Sequence, residues 1–133
     1  MIRLLIFSFL ITATYFTKAQ TTLSFCTSVE KDGYCAFYNT KFITSPDSST
    51  GRIYMLLRNP SGIRQKHVTY HIFTLDKNGT ETLINKIEQS MEPDWIYAWQ
   101  TGTFQSPGKY RIKVFTDAGQ LLCNKSFELF NVW

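Results

Sequence analysis

A chain of 133 residues, 44% hydrophobic, 16% aromatic and 18% charged, has room for one ordinary domain and not for two. That balance excludes a disordered or collagen-like polymer. The formal net charge of +4 includes Arg3 and Lys18 in the N-terminal segment, and nucleic acid binders carry a clustered basic face instead, so nucleic acid is not an expected partner.

Residues 1–16 read MIRLLIFSFLITATYF: a positive charge at Arg3, then an apolar stretch too short for the ~20 residues of a spanning helix. Small and polar residues follow at Thr17-Lys18-Ala19. Charge, short apolar run and small-residue exit are the parts of a secretory signal peptide, expected over 1–19 with cleavage after Ala19. Residues 20–133 would then be a single secreted or periplasmic domain with no transmembrane segment. Leu23-Ser24-Phe25-Cys26 resembles a bacterial lipobox, which would give a lipid-anchored envelope protein. The bulk of Phe25 and the distance of Cys26 from the apolar run speak against it.

Along the rest of the chain the punctuation is that of strands. Extended segments are expected at 23–28, at 34–38 and briefly near Phe42; 45–51 is a loop by composition. The apolar run 52–58 suits a buried strand, and Asn59-Pro60-Ser61-Gly62 a turn. A strand over 68–75 ends at Asp76-Lys77-Asn78-Gly79, where Asn-Gly predicts a type I′ hairpin with φ > 0 at both centres. Residues 80–91 place Leu83, Ile84, Ile87 and Met91 at helical spacing, yet turn-like flanks and Thr82 favour a strand. Glu92-Pro93-Asp94 breaks the chain, 95–100 is extended, and Thr103-Phe104 forms a further short piece. The last strands are expected at 109–116 and 121–130, joined by Asp117-Ala118-Gly119. In 109–114, Tyr110, Ile112 and Val114 share one face and Lys109, Arg111 and Lys113 the other. This describes an antiparallel sheet with one buried side. The three cations read as a solvated face, with an anion-binding stripe as the sharper alternative. About seven or eight strands at this spacing predict an all-β antiparallel sandwich.

The run Pro107-Gly108-Lys109-Tyr110-Arg111-Ile112-Lys113-Val114, the turn Asp117-Ala118-Gly119, and Phe127-Glu128-Leu129 resemble the closing hairpin of bacterial immunoglobulin-like or fibronectin-III-like domains. The resemblance covers the last quarter of the chain and implies a sandwich fold, with no activity attached. It also gives Tyr110 a buried ring whose hydroxyl can reach backbone.

Three cysteines allow one internal bridge and leave one thiol over. Lys31-Asp32-Gly33 is a turn signal that could set Cys26 and Cys35 across a hairpin. A Cys35–Cys123 bridge would close a longer loop, and geometry decides between them. Cys123, if left over, reads as a buried thiol more readily than as a reactive one.

Nothing in the chain marks a reactive centre. His67 and His71, on one face of a strand, stand roughly 13 Å apart, too far to share a metal. Glu88, Glu92 and Asp94 lack the periodicity of a calcium loop. No nucleotide-binding or nucleophile-elbow motif is present, so no enzyme, cofactor or metal is expected. The feature with binding character is Trp95-Ile96-Tyr97-Ala98-Trp99. In a strand, Trp95, Tyr97 and Trp99 share a face. Large aromatics dominate sandwich interiors, so this ladder reads first as core; with Ile96 and Ala98 inward it becomes a recognition surface. The function expected is non-catalytic recognition of an unknown protein partner. The alternatives are a carbohydrate-binding module using Trp95, Tyr97 and Trp99 on a glycan, and an inhibitor of exported proteases presenting 59–66.

Overall fold

The computed structural model describes residues 20–36, 39–44 and 51–131. The described residues form ten strands. They are β1 (Thr22–Cys26), β2 (Ser28–Val29), β3 (Cys35–Ala36), β4 (Lys41–Thr44), β5 (Gly51–Arg58), β6 (His67–Leu75), β7 (Glu81–Ser90), β8 (Tyr97–Phe104), β9 (Gly108–Thr116) and β10 (Leu121–Asn131). A three-stranded sheet in the order β1-β5-β8 faces a five-stranded sheet in the order β4-β10-β9-β6-β7. The two remaining strands, β2 and β3, make a small ribbon of their own.

Both large sheets bury alternate residues. On β9, Tyr110, Ile112 and Val114 are buried, and across the interface so are Ile53, Met55 and Leu57 of β5. This period-two alternation is what a sheet needs to cover a core on one side. Phe127 of β10 sits where the layers meet. Its ring lies 4.8 Å from Phe25 and 4.9 Å from Phe104, both of the opposite sheet, and 5.3 Å from Tyr110 and 5.9 Å from Phe42 beside it. Three of these pairs are tilted or edge-on and the Tyr110 pair is stacked, and such contacts add to the burial of the rings themselves. The Tyr110 hydroxyl donates to the Ser106 carbonyl, four residues upstream, the tyrosine-corner bond typical of immunoglobulin sandwiches.

Several details differ from the sequence expectation. The stretch 23–28 is divided at Thr27 between β1 and β2, and 95–100 merges with Thr103-Phe104 into β8, which begins only at Tyr97. Of the expected strand over 34–38, Cys35–Ala36 forms β3, while Phe37 and Tyr38 lie outside the described residues, as does most of the 45–51 loop. Every described pairing is antiparallel except that of β4, which runs parallel to β10. The 80–91 segment is strand β7, an edge with most of its side chains exposed. The turn at Asn78-Gly79 is not type I′, since only Gly79 takes a positive φ (+78°). Asp76 supplies the difference: its Oδ1 accepts from the amides of Asn78 and Thr80, both at 2.8 Å. With Asp76 and Thr80 also joined by their backbones, this is a three-residue loop closed by a left-handed glycine.

Truncating the hub is the direct test of this core. Phe127→Ala should destabilise the protein by about 3–5 kcal/mol. The measurement is the urea midpoint at unchanged slope; a loss below about 1 kcal/mol would place the sheet-to-sheet contact elsewhere.

Candidate functional site

The alternation in β8 decides where its aromatics go. Ala98, Gly102 and Phe104 are buried against the five-stranded sheet, which sends Tyr97 and Trp99 to the outer side of the three-stranded one. Gly102 is required there: a Cβ would stand 2.7 Å from Cε2 of the Phe104 ring, which folds back over it. The aromatic pair is therefore not in the sandwich core, against the first reading of the sequence. Nor is the ladder of three complete, because Trp95 precedes the strand.

The outer side is not bare either. Leu56 of β5, cross-strand neighbour of Trp99, and Cys26 of β1 are both buried, yet neither belongs to the core between the sheets. The β2–β3 ribbon accounts for this second buried layer. A disulfide joins Cys26 to Cys35, with Cα atoms 5.5 Å apart, and turns the ribbon back over the sheet. At its tip, Gly33 lies against the face of Tyr97: a Cβ there would be 2.7 Å from Tyr97 Cγ. Its φ of +79° is a second reason for glycine. The Tyr97 hydroxyl donates to the Lys31 carbonyl at 2.8 Å, and the Tyr97 ring stacks on Trp99, centroids 5.9 Å apart and 18° from parallel. Nothing in the ladder's own sequence signals this cover; Gly33 in the cysteine hairpin was the available clue. With Cys26 bridged, its sulfur has no thiol for the lipobox-like reading.

Beyond Tyr97 and Trp99 the surface opens. A groove of about 640 Å³ is lined by Gln89, Asp94, Trp95, Ile96, Tyr97, Ala98 and Trp99. Trp95 is 42% exposed and Ile96 46%. Gln89 forms the far wall and ties the two sheets together. It accepts from the hydroxyl of buried Tyr70 at 2.7 Å and donates to the Trp99 carbonyl at 3.1 Å. Burial raises the Tyr70 pKa above its ordinary value, so this hydroxyl stays protonated as donor. Behind the groove, 59–66 is bonded to 91–96: Asn59 to the Ile96 carbonyl, Ile63 to that of Trp95, Arg64 to that of Pro93, and Met91 to that of Lys66. Ile63 is buried. The segment 59–66 is thus bonded to the chain that carries the groove, while its residues Pro60, Ser61, Arg64 and Lys66 stay exposed.

The other sequence candidates lie elsewhere. His67 Nδ1 is 2.7 Å from Asp117 Oδ1, and its Nε2 is 3.9 Å from Glu88. His71 packs 4.5 Å from the Phe115 ring; burial first, then the charge of Lys86, holds its pKa below the ordinary histidine value. Among the described residues no group of three or more histidines, cysteines or acids is placed to hold a metal. Cys123 is unbridged, and burial pushes its thiol up to about 12, far from the thiolate a nucleophile needs. Two cations of the stripe share one carboxylate: Glu81 on β7 binds Arg111 at 2.7 Å and Lys113 at 2.8 Å. Hydrogen bonds from Lys113 and Arg111 hold the Glu81 carboxyl below its ordinary range. Among the described residues no helix is long and apolar enough to cross a membrane.

The fold so assembled, two packed sheets with a tyrosine corner, is that of an immunoglobulin-like β-sandwich. A solved structure shares it: an immunoglobulin-like protein (PA1606) from Pseudomonas aeruginosa, with TM-score 0.53 and 14% identity over 85% of this chain and 98% of that one. At this identity the likeness extends to the fold alone. No family model matches the chain, and no curated protein matches it significantly.

Two outcomes are expected from this geometry. Gly33→Ala should destabilise the protein by about 1–3 kcal/mol and weaken the near-ultraviolet dichroism of the Tyr97–Trp99 stack; an unchanged spectrum would separate the ribbon from the pair. Glu81 is depressed in the folded state, so its contribution is present above the ordinary glutamate pKa and is lost as pH falls through the folded one. Glu81→Gln should therefore be less stable than wild type at pH 7 and lose less stability on acidification, as read by denaturant midpoints across pH.

Proposed function

We propose that the chain is exported, that residues 20–133 form one extracytoplasmic domain, and that it acts by non-catalytic recognition of a protein at the Trp95–Trp99 groove. The leader-like pattern of 1–19 and the Cys26–Cys35 bridge support export, since disulfides persist in oxidising compartments. One observation carries the recognition reading. Trp95 and Ile96 stand well exposed beside the Tyr97–Trp99 stack, at the rim of a preformed groove whose wall is hydrogen-bonded in place. Exposed aromatics over a rigid base are what protein interfaces use as anchors.

The arrangement favours a protein over a glycan. A sugar ring stacks on an aromatic face that lies open, whereas the Tyr97 face is occupied by Gly33 and its neighbour Trp99 stacks on it. Asp94 makes no ion pair or hydrogen bond among the described residues, so the groove offers an acceptor to a basic side chain of the partner.

A photo-crosslinking residue at position 96, tested in cells, should give protein adducts that the same residue at position 109 does not. Trp95→Ala should weaken binding of the cross-linked partner by about 2 kcal/mol or more while leaving the unfolding midpoint near that of wild type. Absence of adducts at 96 together with binding on a glycan array would replace this reading with the carbohydrate one.

A further inference from the structure

We propose that β8 is a self-pairing edge: two copies of this chain join through their β8 strands, antiparallel about a two-fold axis at Thr101. This concerns the edge of β8 and not the Trp95–Ile96 rim; the incoming strand would run beside Tyr97 and Trp99, which also line the groove, so a second copy and a groove occupant would compete for that end of the strand.

The directions of the backbone groups come first. The Ile96 carbonyl accepts from Asn59, at the end of β5, while the Trp99 carbonyl accepts from Gln89, on the side away from β5. Along an antiparallel strand the amide and carbonyl of one residue point the same way and alternate from residue to residue. Tyr97, Trp99, Thr101 and Thr103 therefore turn their backbone groups outward from β5. Apart from Gln89 on Trp99, none of these outward groups has a partner among the described residues. The Trp99 carbonyl keeps a second lone pair.

Edges are ordinarily blunted by charge, proline or a bulge, because an unblunted edge pairs with another chain. The opposite edge at this side, β7, is blunted in this way. It carries Glu81, Lys86 and Glu88, and its register skips Ile84, with Ile72 facing Asn85 and Phe73 facing Leu83. The outer edge β4 carries Lys41. By contrast β8, YAWQTGTF, has no charge and no proline, and its register with β5 runs unbroken from Tyr97 to Phe104.

The occupant that this edge fits is its own copy. Opposed residues in an antiparallel pair lie on the same face, so a two-fold axis must pass through a residue position. Placed at Thr101, whose backbone groups point outward, it sets Trp99 against Thr103 and Tyr97 against Gln105 on the outer face. On the inner face it sets Gln100 against Gly102 and Ala98 against Phe104. Each of these pairs opposes a large side chain to a smaller one. The axis itself falls on Thr101–Thr101, a favourable cross-strand pair. Absence of charge removes the like-charge repulsion that a two-fold imposes on residues near it. The result would join the two three-stranded sheets into one continuous sheet.

The purified protein should show a concentration-dependent dimer by sedimentation velocity. Thr101→Lys, which sets two ammonium groups against each other, should weaken it about tenfold or more with the fold retained by circular dichroism. In a Cys123→Ala background, Thr101→Cys should form a reducible inter-chain disulfide, its Cα atoms being about 5.5 Å apart. Thr103→Cys should not, since its copy lies roughly 13 Å away. A monomer up to millimolar concentration, a dimer indifferent to Thr101→Lys, or cross-linking through 103 in preference to 101 would each overturn the proposal.

Discussion

The meeting of rings around Phe127 is the constraint from which the rest of the architecture follows. Phe127 contacts Phe25 and Phe104 across the interface and Tyr110 and Phe42 within its own sheet. These contacts fix how the three-stranded sheet lies over the five-stranded one, because interlocked rings leave few alternative packings. Phe104 packs on Phe127 with its ring lying over Gly102, on the inward face of β8. With Phe104 and Ala98 turned in, Tyr97 and Trp99 have to turn out.

That outward turn creates a second problem and a second solution. Two large aromatics and Leu56 on the outer side would be a sizeable apolar patch. The short β2–β3 ribbon covers part of it, and the Cys26–Cys35 bridge keeps so small an element in place. The cover stops at Trp99, leaving Trp95 and Ile96 exposed at the groove. The recognition surface proposed is thus the uncovered remainder of a patch whose other half is structural. On the far sheet the exposed side is managed differently, by charge: Glu81 gathers Arg111 and Lys113, and the Lys113 ammonium also lies over the Phe73 ring at 5.1 Å.

The two free edges at this side of the sandwich show the same contrast. On β7 a bulge and three charged residues break the template an incoming strand would need. On β8 the ladder is regular and neutral, and among the described residues only the Trp99 carbonyl of its outward backbone groups has a partner, Gln89. Gln89 spans the gap between the two, so the edges are held in a fixed relation while only one of them is open to pairing.

Much of this was legible in the chain. Tyr110, Ile112 and Val114 alternate inward as their period-two pattern requires, Tyr110 makes its backbone bond, and the Lys31-Asp32-Gly33 turn brings Cys26 to Cys35. All of these depend on residues near one another in sequence. What remained open depended on distant partners. Period two says that Tyr97 and Trp99 share a face, but it is unchanged when the two faces are exchanged, so only Phe104 packing on Phe127 could choose between core and surface. In the same way Arg111 and Lys113 met their acid from Glu81 on another strand, and β4 took a parallel course beside β10. A local pattern carries no record of which remote segment will lie next to it; three-dimensional packing supplies that.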